Sequence, residues 1–360
     1  MSARNRIYPV FIPHLGCPHA CVFCNQHEIT GAAAEEALQQ LNNLAENPPQ
    51  EGAYELAFYG GSFTAIPEAQ QLRYLEAARL AADRGAVSSI RLSTRPDAVT
   101  KEILERLKRY GVGTVELGAQ SMQNPVLLAA GRGHSAEDVR RASALIRQSG
   151  LSLVLQMMTG LPGDDDDGAV DTARRLIALR PDAVRIYPTV IVRGTELERR
   201  WRRGEYREHT VEDAVRVCAR LLPLFEAAGI PVIRLGLNPT DELSGGAALA
   251  GAYHPALGEL VRSRILRDRA EQRLAEMSCE GGRVTIRVPE KKLSQMLGQK
   301  RCNVEWLKNR FRLADLEVCP DPGLTDLVID VDPAGRFIRK SRTSSCSVSG
   351  KNADIPAEYE

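Results

Sequence analysis

Short apolar runs alternate with longer amphipathic stretches over the first 240 residues of the chain. Each run has the length and composition of a strand buried on both faces, which is typical of a parallel sheet. This alternation predicts an α/β fold. The predicted strands are Ile7–Pro13, Tyr54–Tyr59, Ser89–Ser93, Gly113–Leu117, Leu151–Met157 and Ala183–Tyr187. The predicted helices are Glu35–Glu46, Glu68–Arg84, Lys101–Tyr110, Ala136–Gln148 and Asp171–Leu179.

Glycine, proline and polar residues cluster directly after each predicted strand. In barrels of alternating strands and helices, the chemistry lies on the loops that follow the strands. A doubly wound sheet also fits the alternation, but six such clusters in register favour an incomplete (β/α)6 TIM-like barrel. The clusters are Gly16–Cys24, Gly60–Ser62, Thr94–Pro96, Gly118–Ser121, Thr159–Gly163 and Pro188–Thr195.

A second, smaller pattern begins near Gly281. Its order is strand, helix, loop, helix and two strands, which predicts a small α+β domain. Its elements are Arg283–Val288, Pro289–Leu297, Asn303–Phe311, Leu316–Val318 and Asp326–Val331. We therefore predict a barrel over residues 1–275, a small domain over 281–335 and a disordered serine-rich tail over 341–360.

The composition is that of an ordinary globular protein, with 43% hydrophobic and 26% charged residues. No apolar run is long enough for a membrane span, and the N-terminus has no targeting pattern. Eight cysteines without a secretory context predict a cytoplasmic protein in a reducing compartment. The formal net charge of +1 means that any nucleic-acid surface is local.

Three cysteines, Cys17, Cys21 and Cys24, have the spacing C-x3-C-x2-C. Iron–sulfur cubanes normally take four thiolates, so three ligands leave one iron open to bind a small molecule. Two other interpretations remain. The cysteines suit a zinc site with His19 or His27 as fourth ligand, and a disulfide framework, although disulfides are typical of small secreted chains.

This cysteine motif resembles the signature of the radical S-adenosylmethionine (SAM) enzymes. The resemblance implies a 4Fe-4S cluster held by Cys17, Cys21 and Cys24, with SAM on the open iron and cleavage to a 5′-deoxyadenosyl radical. It also implies that Phe23 packs near SAM and that Gly60 and Gly61 contact its amino group. Ser62 stands where the family often has an acid.

Further candidates lie on the other strand ends. Ser93, Gln120 and Ser121 offer hydroxyl and amide groups for the ribose and carboxylate of SAM; the alternative is that Gln120 and Ser121 satisfy backbone groups in a turn. Met158 lies in a segment that resembles the adenine support of relatives. Tyr187 is predicted to face the substrate.

Several motifs between about residues 5 and 265 resemble the radical SAM half of the elongator catalytic subunit, which modifies wobble uridine in transfer RNA. They include Glu116–Ser121, Met157–Gly163, Arg185–Thr189 and Tyr253–Pro255. That subunit spaces its first two cysteines farther apart and carries an acetyltransferase domain, for which the residues after Ile265 are too few. The resemblance therefore implies a relative with similar architecture and a different product.

Residues 281–332 resemble a K-homology (KH) fold, in which a G-x-x-G loop clamps nucleotides. Here the loop is Gly298–Arg301, with Arg301 in place of the second glycine. Between Arg287 and Arg312 there are eight basic and two acidic residues, an excess that suits phosphate binding. The alternative is a structural cap with a solvated basic face. The RNA-binding candidates are Lys291, Lys292, Gly298, Lys300 and Arg301.

These features predict a radical SAM enzyme that modifies a tRNA or rRNA base at carbon, for example by methylation. An electron donor such as flavodoxin or ferredoxin is implied, and no membrane partner. Cys346, in the tail, is a candidate mobile catalytic thiol, although an incidental exposed thiol is the more ordinary explanation. The alternatives are a small-molecule enzyme similar to coproporphyrinogen dehydrogenase and a non-catalytic iron–sulfur RNA-binding regulator.

Overall fold

The computed structural model describes residues 6–12, 21–24, 34–49, 52–237 and 243–332. The chain forms two compact units, Met1–Val261 and Arg262–Glu360. Among the described residues, none of the helices combines the length and the hydrophobicity needed to cross a bilayer.

The first unit is built on a seven-stranded sheet in which every neighbouring pair is parallel. The strands lie side by side in chain order, without the reversal that marks a doubly wound sheet. They are β1 (Ile7–Phe11), β2 (Tyr54–Tyr59), β3 (Val87–Thr94), β4 (Val112–Gln120), β5 (Ser152–Thr159), β6 (Ala183–Pro188) and β8 (Val232–Leu235). A separate antiparallel pair joins β7 (Val190–Val192) and β9 (Ala248–Gly251).

A side-chain contact shows that this sheet is strongly curled. The guanidinium Nη2 of Arg185 on β6 donates to the hydroxyl of Tyr59 on β2 at 3.0 Å. Four strand spacings of about 4.8 Å separate β2 from β6, about 19 Å in a flat sheet, which is beyond the combined reach of the two side chains. The sheet therefore forms the predicted incomplete barrel, and its concave face is a lumen.

Helices cover the convex face of the sheet. The chain order places one after almost every strand, as predicted: α1 (Ala34–Glu46), α2 (Glu68–Asp83), α3 (Lys101–Arg109), α4 (Asn124–Ala129), α5 (Ala136–Gln148), α6 (Asp166–Ala178), α7 (Glu196–Arg202) and α8 (Val211–Ala227). Helix α6 begins before the predicted Asp171, because the Asp165 side chain accepts a hydrogen bond from the Gly168 N–H and caps its N-terminus.

Because a strand is pleated, alternate side chains face the helix-covered core and the lumen. On β4, Val115 and Leu117 are fully buried on the helix side, while Glu116 between them bonds to side chains of β3, β5 and β6. The seventh strand, β8, and the helix before it were not among the predicted elements. Strand β8 has four residues, and none of them is fully buried, so its apolar signal is weak.

The second unit has a three-stranded sheet of order β11-β10-β12, with β10 parallel to β11 and antiparallel to β12. Its elements are β10 (Arg283–Val288), α10 (Leu293–Leu297), α11 (Cys302–Arg310), β11 (Asp315–Pro320) and β12 (Val328–Asp332), with short 3-10 turns at Glu290–Lys292 and Gln299–Arg301. The predicted element order is confirmed. The unit begins inside α9 (Leu257–Ala275), because Leu266, Ala270 and Leu274 are buried in its hydrophobic core.

Candidate functional site

The cysteine turn, Cys21–Cys24, lies at the ends of the strands that open into the lumen. Backbone hydrogen bonds hold it in place. The Cys24 N–H donates to the Cys21 carbonyl at 3.0 Å and closes the turn. Between these residues, the Val22 N–H donates to the Ala130 carbonyl at 3.1 Å, and the Val22 carbonyl accepts from the Leu197 N–H at 2.7 Å. The turn is therefore clamped between the end of α4 and the start of α7. Cys17 lies outside the described residues.

Arg132 links this turn to β4. Its Nη1 lies 3.3 Å from the Cys21 sulfur, and its Nη2 donates to the Gly118 carbonyl at 2.7 Å. A cation at this distance stabilises negative charge on the sulfur. A Cβ on Gly118 would lie 3.1 Å from Nη2, so the absence of a side chain there makes the close approach possible.

Arg132 was not predicted from the sequence. The available signal was its position between Gly131 and Gly133, both of which adopt positive φ, shortly after β4. Such flanking glycines mark a tight path of the backbone, which here turns the guanidinium toward the cysteine turn.

Gln120 and His134 lie beside Arg132. Gln120 has φ of +64°, and its Oε1 is buried without a partner among the described residues. The His134 Nε2 lies 3.2 Å from the Ala119 carbonyl, so this nitrogen carries the proton. Burial, followed by the charge of Arg132, lowers the pKa of His134 to about 4, and its imidazole is neutral at neutral pH.

Ser121 faces the helix layer. Its hydroxyl lies 3.3 Å from the Thr172 hydroxyl on α6 and accepts from the Gln123 N–H at 3.1 Å. Only 1% of Ser121 is exposed, so its hydroxyl is buried where it makes these contacts. The bond to the Gln123 N–H agrees with the alternative interpretation of Ser121, in which its side chain satisfies a backbone group of a turn.

The glycines after β2 and the hydroxyl on β3 lie on the neighbouring strand ends. Gly60 has φ of +100°, a conformation that side chains rarely adopt. Gly61 follows it, and Ser62 is 8% exposed and precedes the 3-10 turn Phe63–Ala65. The Ser93 hydroxyl donates to a Glu116 oxygen at 3.5 Å, a long bond that leaves Ser93 half-buried on the lumen face.

An apolar cluster joins the cysteine turn to the ends of β5 and β6. Met158 and Val22 are buried in it, and the partly buried rings of Phe23 and Tyr187 pack against it. Three residues predicted from separate stretches of the sequence, Phe23, Met158 and Tyr187, are therefore brought together.

Glu116 is the centre of a polar network in the lumen and is fully buried. Its Oε1 accepts from Arg185 at 2.8 Å, from Arg91 at 2.9 Å and from the Tyr59 hydroxyl at 3.4 Å. Its Oε2 accepts from Gln156 at 3.0 Å. Burial and the nearby Glu116 charge raise the pKa of Tyr59 to about 12, so this phenol stays protonated.

Tyr206 and His209 support the end of β5 and the residue that follows it. The Tyr206 hydroxyl donates to the Gly160 carbonyl at 2.6 Å, and a Cβ on Gly160 would lie 2.1 Å from Cγ of His209. The His209 Nε2 also lies 3.1 Å from the Thr159 hydroxyl. Gly160, Tyr206 and His209 line a cavity of about 530 Å³, and Asp164 lies in the same lining.

Asp164 gives a pH-dependent contribution to stability. Burial raises the pKa of its carboxyl to about 7, above about 3.9 in the unfolded chain. Between these values the folded state binds more protons, so stability falls as pH rises from about 4 to about 7.

We expect the unfolding free energy of Asp164→Asn, measured by urea titration, to equal that of the natural protein at about pH 4 and to exceed it at about pH 8. An Asp167→Asn control should keep the natural pH dependence, and the same dependence in Asp164→Asn would contradict the assignment.

The second unit holds the predicted basic loop. Gly298 has φ of 73° and ψ of 166°, a conformation essentially restricted to glycine. Lys300 and Arg301, both exposed, have φ of 49° and 63°, so Arg301 keeps the left-handed backbone that a glycine would adopt at this position. Lys291 is exposed and Lys292 half-buried in the preceding 3-10 turn. Cys346 lies outside the described residues.

A curled parallel half-barrel with a cysteine turn at its strand ends defines the class of protein. Residues 11–176 match the model of the radical SAM superfamily, and residues 181–267 match the model of the radical SAM C-terminal domain. The chain belongs to the radical SAM superfamily. Membership implies SAM and a 4Fe-4S cluster as cofactors.

The relatives match parts of their length only. The tRNA uridine(34) acetyltransferase of Methanocaldococcus infernus is 35% identical over 129 residues, 35% of this chain and 24% of that protein. Human Elongator complex protein 3 is 30% identical over 179 residues, 49% of this chain and 32% of that protein. An uncharacterized protein of Methanocaldococcus jannaschii is 32% identical over 208 residues, 54% of this chain and 64% of that protein. The predicted resemblance to the elongator subunit is confirmed.

A solved structure has the same fold. Archaeal Elp3 of Methanocaldococcus infernus with an N-terminal deletion aligns with a TM-score of 0.57 and 23% identity, over 74% of this chain and 64% of that one. This likeness supports the half-barrel architecture.

The described residues fit the implied cofactors. Two thiols lie on one turn beside a guanidinium, and no third metal-ligating side chain joins them within the described part of the chain. Two buried polar atoms have no partner among the described residues: Nε of Arg132, whose guanidinium contacts Cys21, and Oε1 of Gln120, whose amide lies with that guanidinium beside Gly118. Such atoms suit the polar end of an amino acid ligand, because burial without a partner is costly.

Proposed function

We propose that this protein modifies a base of tRNA or rRNA at carbon, through radical chemistry at the cysteine turn. The observation that carries the proposal is the placement of Cys21, Arg132 and Tyr187 around one lumen. The similarity to proteins named tRNA uridine(34) acetyltransferase supports RNA as the substrate class.

The chain's own residues hold and shield the reactants. Cys17, Cys21 and Cys24 would ligate the cluster, which together with SAM and an electron donor such as flavodoxin or ferredoxin would supply the radical chemistry. Gly60, Gly61, Ser93 and Gln120 would hold SAM, with Ser62 as a weaker candidate. Ser121, whose hydroxyl faces the helix layer, would instead support the turn that carries Gln120. Arg132 adds a cation beside the cluster, a contact that the structure adds to the predicted set.

Apolar side chains exclude water from the site. Phe23 and Met158 pack beside the cysteine turn, where a water molecule would otherwise compete for the reactive species. Tyr187 lies in the same apolar cluster and presents its hydroxyl to the lumen, where the substrate is expected.

The experiment that tests this proposal compares modified nucleosides in tRNA and rRNA from cells with and without the gene. Mass spectrometry should find one modified nucleoside missing when the gene is deleted, and restored by the natural gene. A Cys21→Ser gene should fail to restore it. An unchanged set of nucleosides in both RNA classes would overturn the proposal.

We assign RNA capture to the second unit. The exposed side chains of Lys300 and Arg301 extend from a loop with glycine-like backbone geometry, and Lys291 and Lys292 lie in the 3-10 turn that precedes it in the chain. Such a loop allows a nucleotide backbone to approach closely, and the cations neutralise its phosphates.

The double variant Lys300→Glu/Arg301→Glu should weaken RNA binding at least about tenfold at physiological salt. The slope of log affinity against log salt should fall by about 1.4, since each lost phosphate contact with a single strand contributes about 0.7. Filter binding or fluorescence anisotropy with unfractionated tRNA measures both quantities.

The matched control is Arg174→Glu/Arg283→Glu, which changes the net charge equally at two exposed positions, one in each unit. Its affinity and salt slope should stay close to those of the natural protein. Equal weakening in the control and the loop variant would mean that binding depends on overall charge, and would contradict the assignment.

A further inference from the structure

The lumen face of β6 and β8 holds two neighbouring arginines. Arg185 and Arg234 are register partners on these parallel strands, so their side chains leave the sheet on the same face. Like charges directly opposite each other destabilise a sheet unless something compensates them. Arg185 is compensated, because it pairs with the buried Glu116 at 2.8 Å.

Arg234 has no such compensation. Its Nε donates to the Gly236 carbonyl at 2.9 Å, and no ion pair joins it to a carboxylate anywhere in residues 6–12, 21–24, 34–49, 52–237 and 243–332. The carboxylates of the lumen network, Glu55 and Glu116, are already matched by Arg91 and Arg185. Within the part of the chain that the structure describes, the half-buried guanidinium of Arg234 is therefore a lumen cation without a carboxylate partner.

Tyr187 supplies a second donor beside this charge. An arginine only donates, so the Tyr187 oxygen accepts from Nη1 of Arg185 at 3.4 Å and keeps its own proton available. Burial raises the pKa of Tyr187, and the charge of Arg234 acts on the same hydroxyl in the opposite direction. The phenol therefore keeps its proton, and Tyr187, two residues after Arg185 on the same face of β6, is a diagonal neighbour of Arg234 across the strand pair.

We propose that Arg234 and Tyr187 bind an anionic group of the substrate inside the lumen. Arg234 supplies the charge and Tyr187 the neutral hydrogen-bond donor. If the substrate is RNA, as proposed above, this group is a phosphate of the nucleotide to be modified. Arg234 and Tyr187 would position the nucleotide beside the apolar cluster in which the Tyr187 ring packs with Phe23 and Met158.

The test compares two small probes, uridine 5′-monophosphate and uridine, which differ only in the phosphate. Binding of each is measured by calorimetry to the reconstituted protein in the presence of SAM. The natural protein should bind the monophosphate at least about tenfold more tightly, the effect of one charge-assisted contact. Arg234→Gln should bind both probes alike, and Arg234→Lys should restore part of the preference.

A control variant and a second site variant keep the result specific. Arg174→Gln removes an exposed arginine outside the lumen and should retain the full preference. Tyr187→Phe should reduce the preference by a smaller factor, and should raise the KM for RNA more than it lowers kcat. The proposal is overturned if the natural protein binds both probes equally, or if Arg234→Gln keeps the preference.

The outcome is separable from that of the proposed function. An Arg234-dependent preference together with unchanged cellular RNA would leave the anion site standing and point to a small anionic substrate. A missing nucleoside together with no preference would leave the proposed function standing and remove the anion site.

Discussion

Replacing Cys21 by serine is expected to abolish cluster assembly and the reductive cleavage of SAM. Iron–sulfur clusters need thiolate ligands, and a serine hydroxyl stays protonated at neutral pH. Cys21 is also the sulfur that lies 3.3 Å from Arg132, so the variant loses this charge contact as well. Iron and sulfide per chain after anaerobic reconstitution should fall to near background, and 5′-deoxyadenosine should be undetectable by chromatography. Cys24→Ser should behave the same way.

Cys302→Ser is the matched control for these cysteine variants. Cys302 is exposed in the second unit, and its replacement should leave iron content and SAM cleavage unchanged. Full iron content in Cys21→Ser, or a zinc ion instead of iron and sulfide in the natural protein, would contradict the cluster assignment. Circular dichroism of each variant checks that the fold is intact.

Replacing Glu116 by alanine should have the largest effect on stability. Its carboxylate is fully buried and binds Arg91 and Arg185, so its loss leaves Arg185 without a carboxylate partner and Arg91 with Glu55 alone. Breaking a buried ion pair by removing one partner costs about 3–5 kcal/mol of unfolding free energy. Ser93 and Tyr59 lose a hydrogen-bond partner in the same variant.

Urea unfolding followed by circular dichroism measures this loss. Glu137→Ala is the control, because Glu137 pairs with Arg140 on the exposed surface of α5 and should cost less than about 1 kcal/mol. Equal losses in the two variants would show that the Glu116 network does not hold the lumen together.

The repeated strand and helix pattern was sufficient to predict the half-barrel. Largely apolar strands such as Leu151–Met157 are typical of a sheet covered by helices, and their spacing leaves room for one helix each. The pattern failed at β8, where four partly exposed residues give no apolar run, and the helix before it was missed with it. Weak burial explains the failure at β8 alone, because α8 buries Val217, Leu221 and Phe225 and its amphipathic pattern is present in the sequence.

The cysteine motif is likewise a local signal, since three ligands within eight residues reach one metal site whatever surrounds them. Arg132 and Arg234 gave no comparable signal. Their roles depend on neighbours far away in the chain, the Cys21 sulfur in one case and Arg185 in the other. Single arginines are common, and only their partners distinguish one in a site from one on the surface.

The sequence by itself determined the class of fold, the cysteine turn and the basic loop around Lys300, because each depends on residues close together in the chain. The tertiary structure decided which face of each strand lines the lumen and how the charges there are matched. Curling of the sheet brings Tyr59 and Arg185 within 3.0 Å across four strand spacings, and Glu116 is buried between its partners as a result. Contacts of this kind follow from the closure of the whole sheet, which no local pattern encodes.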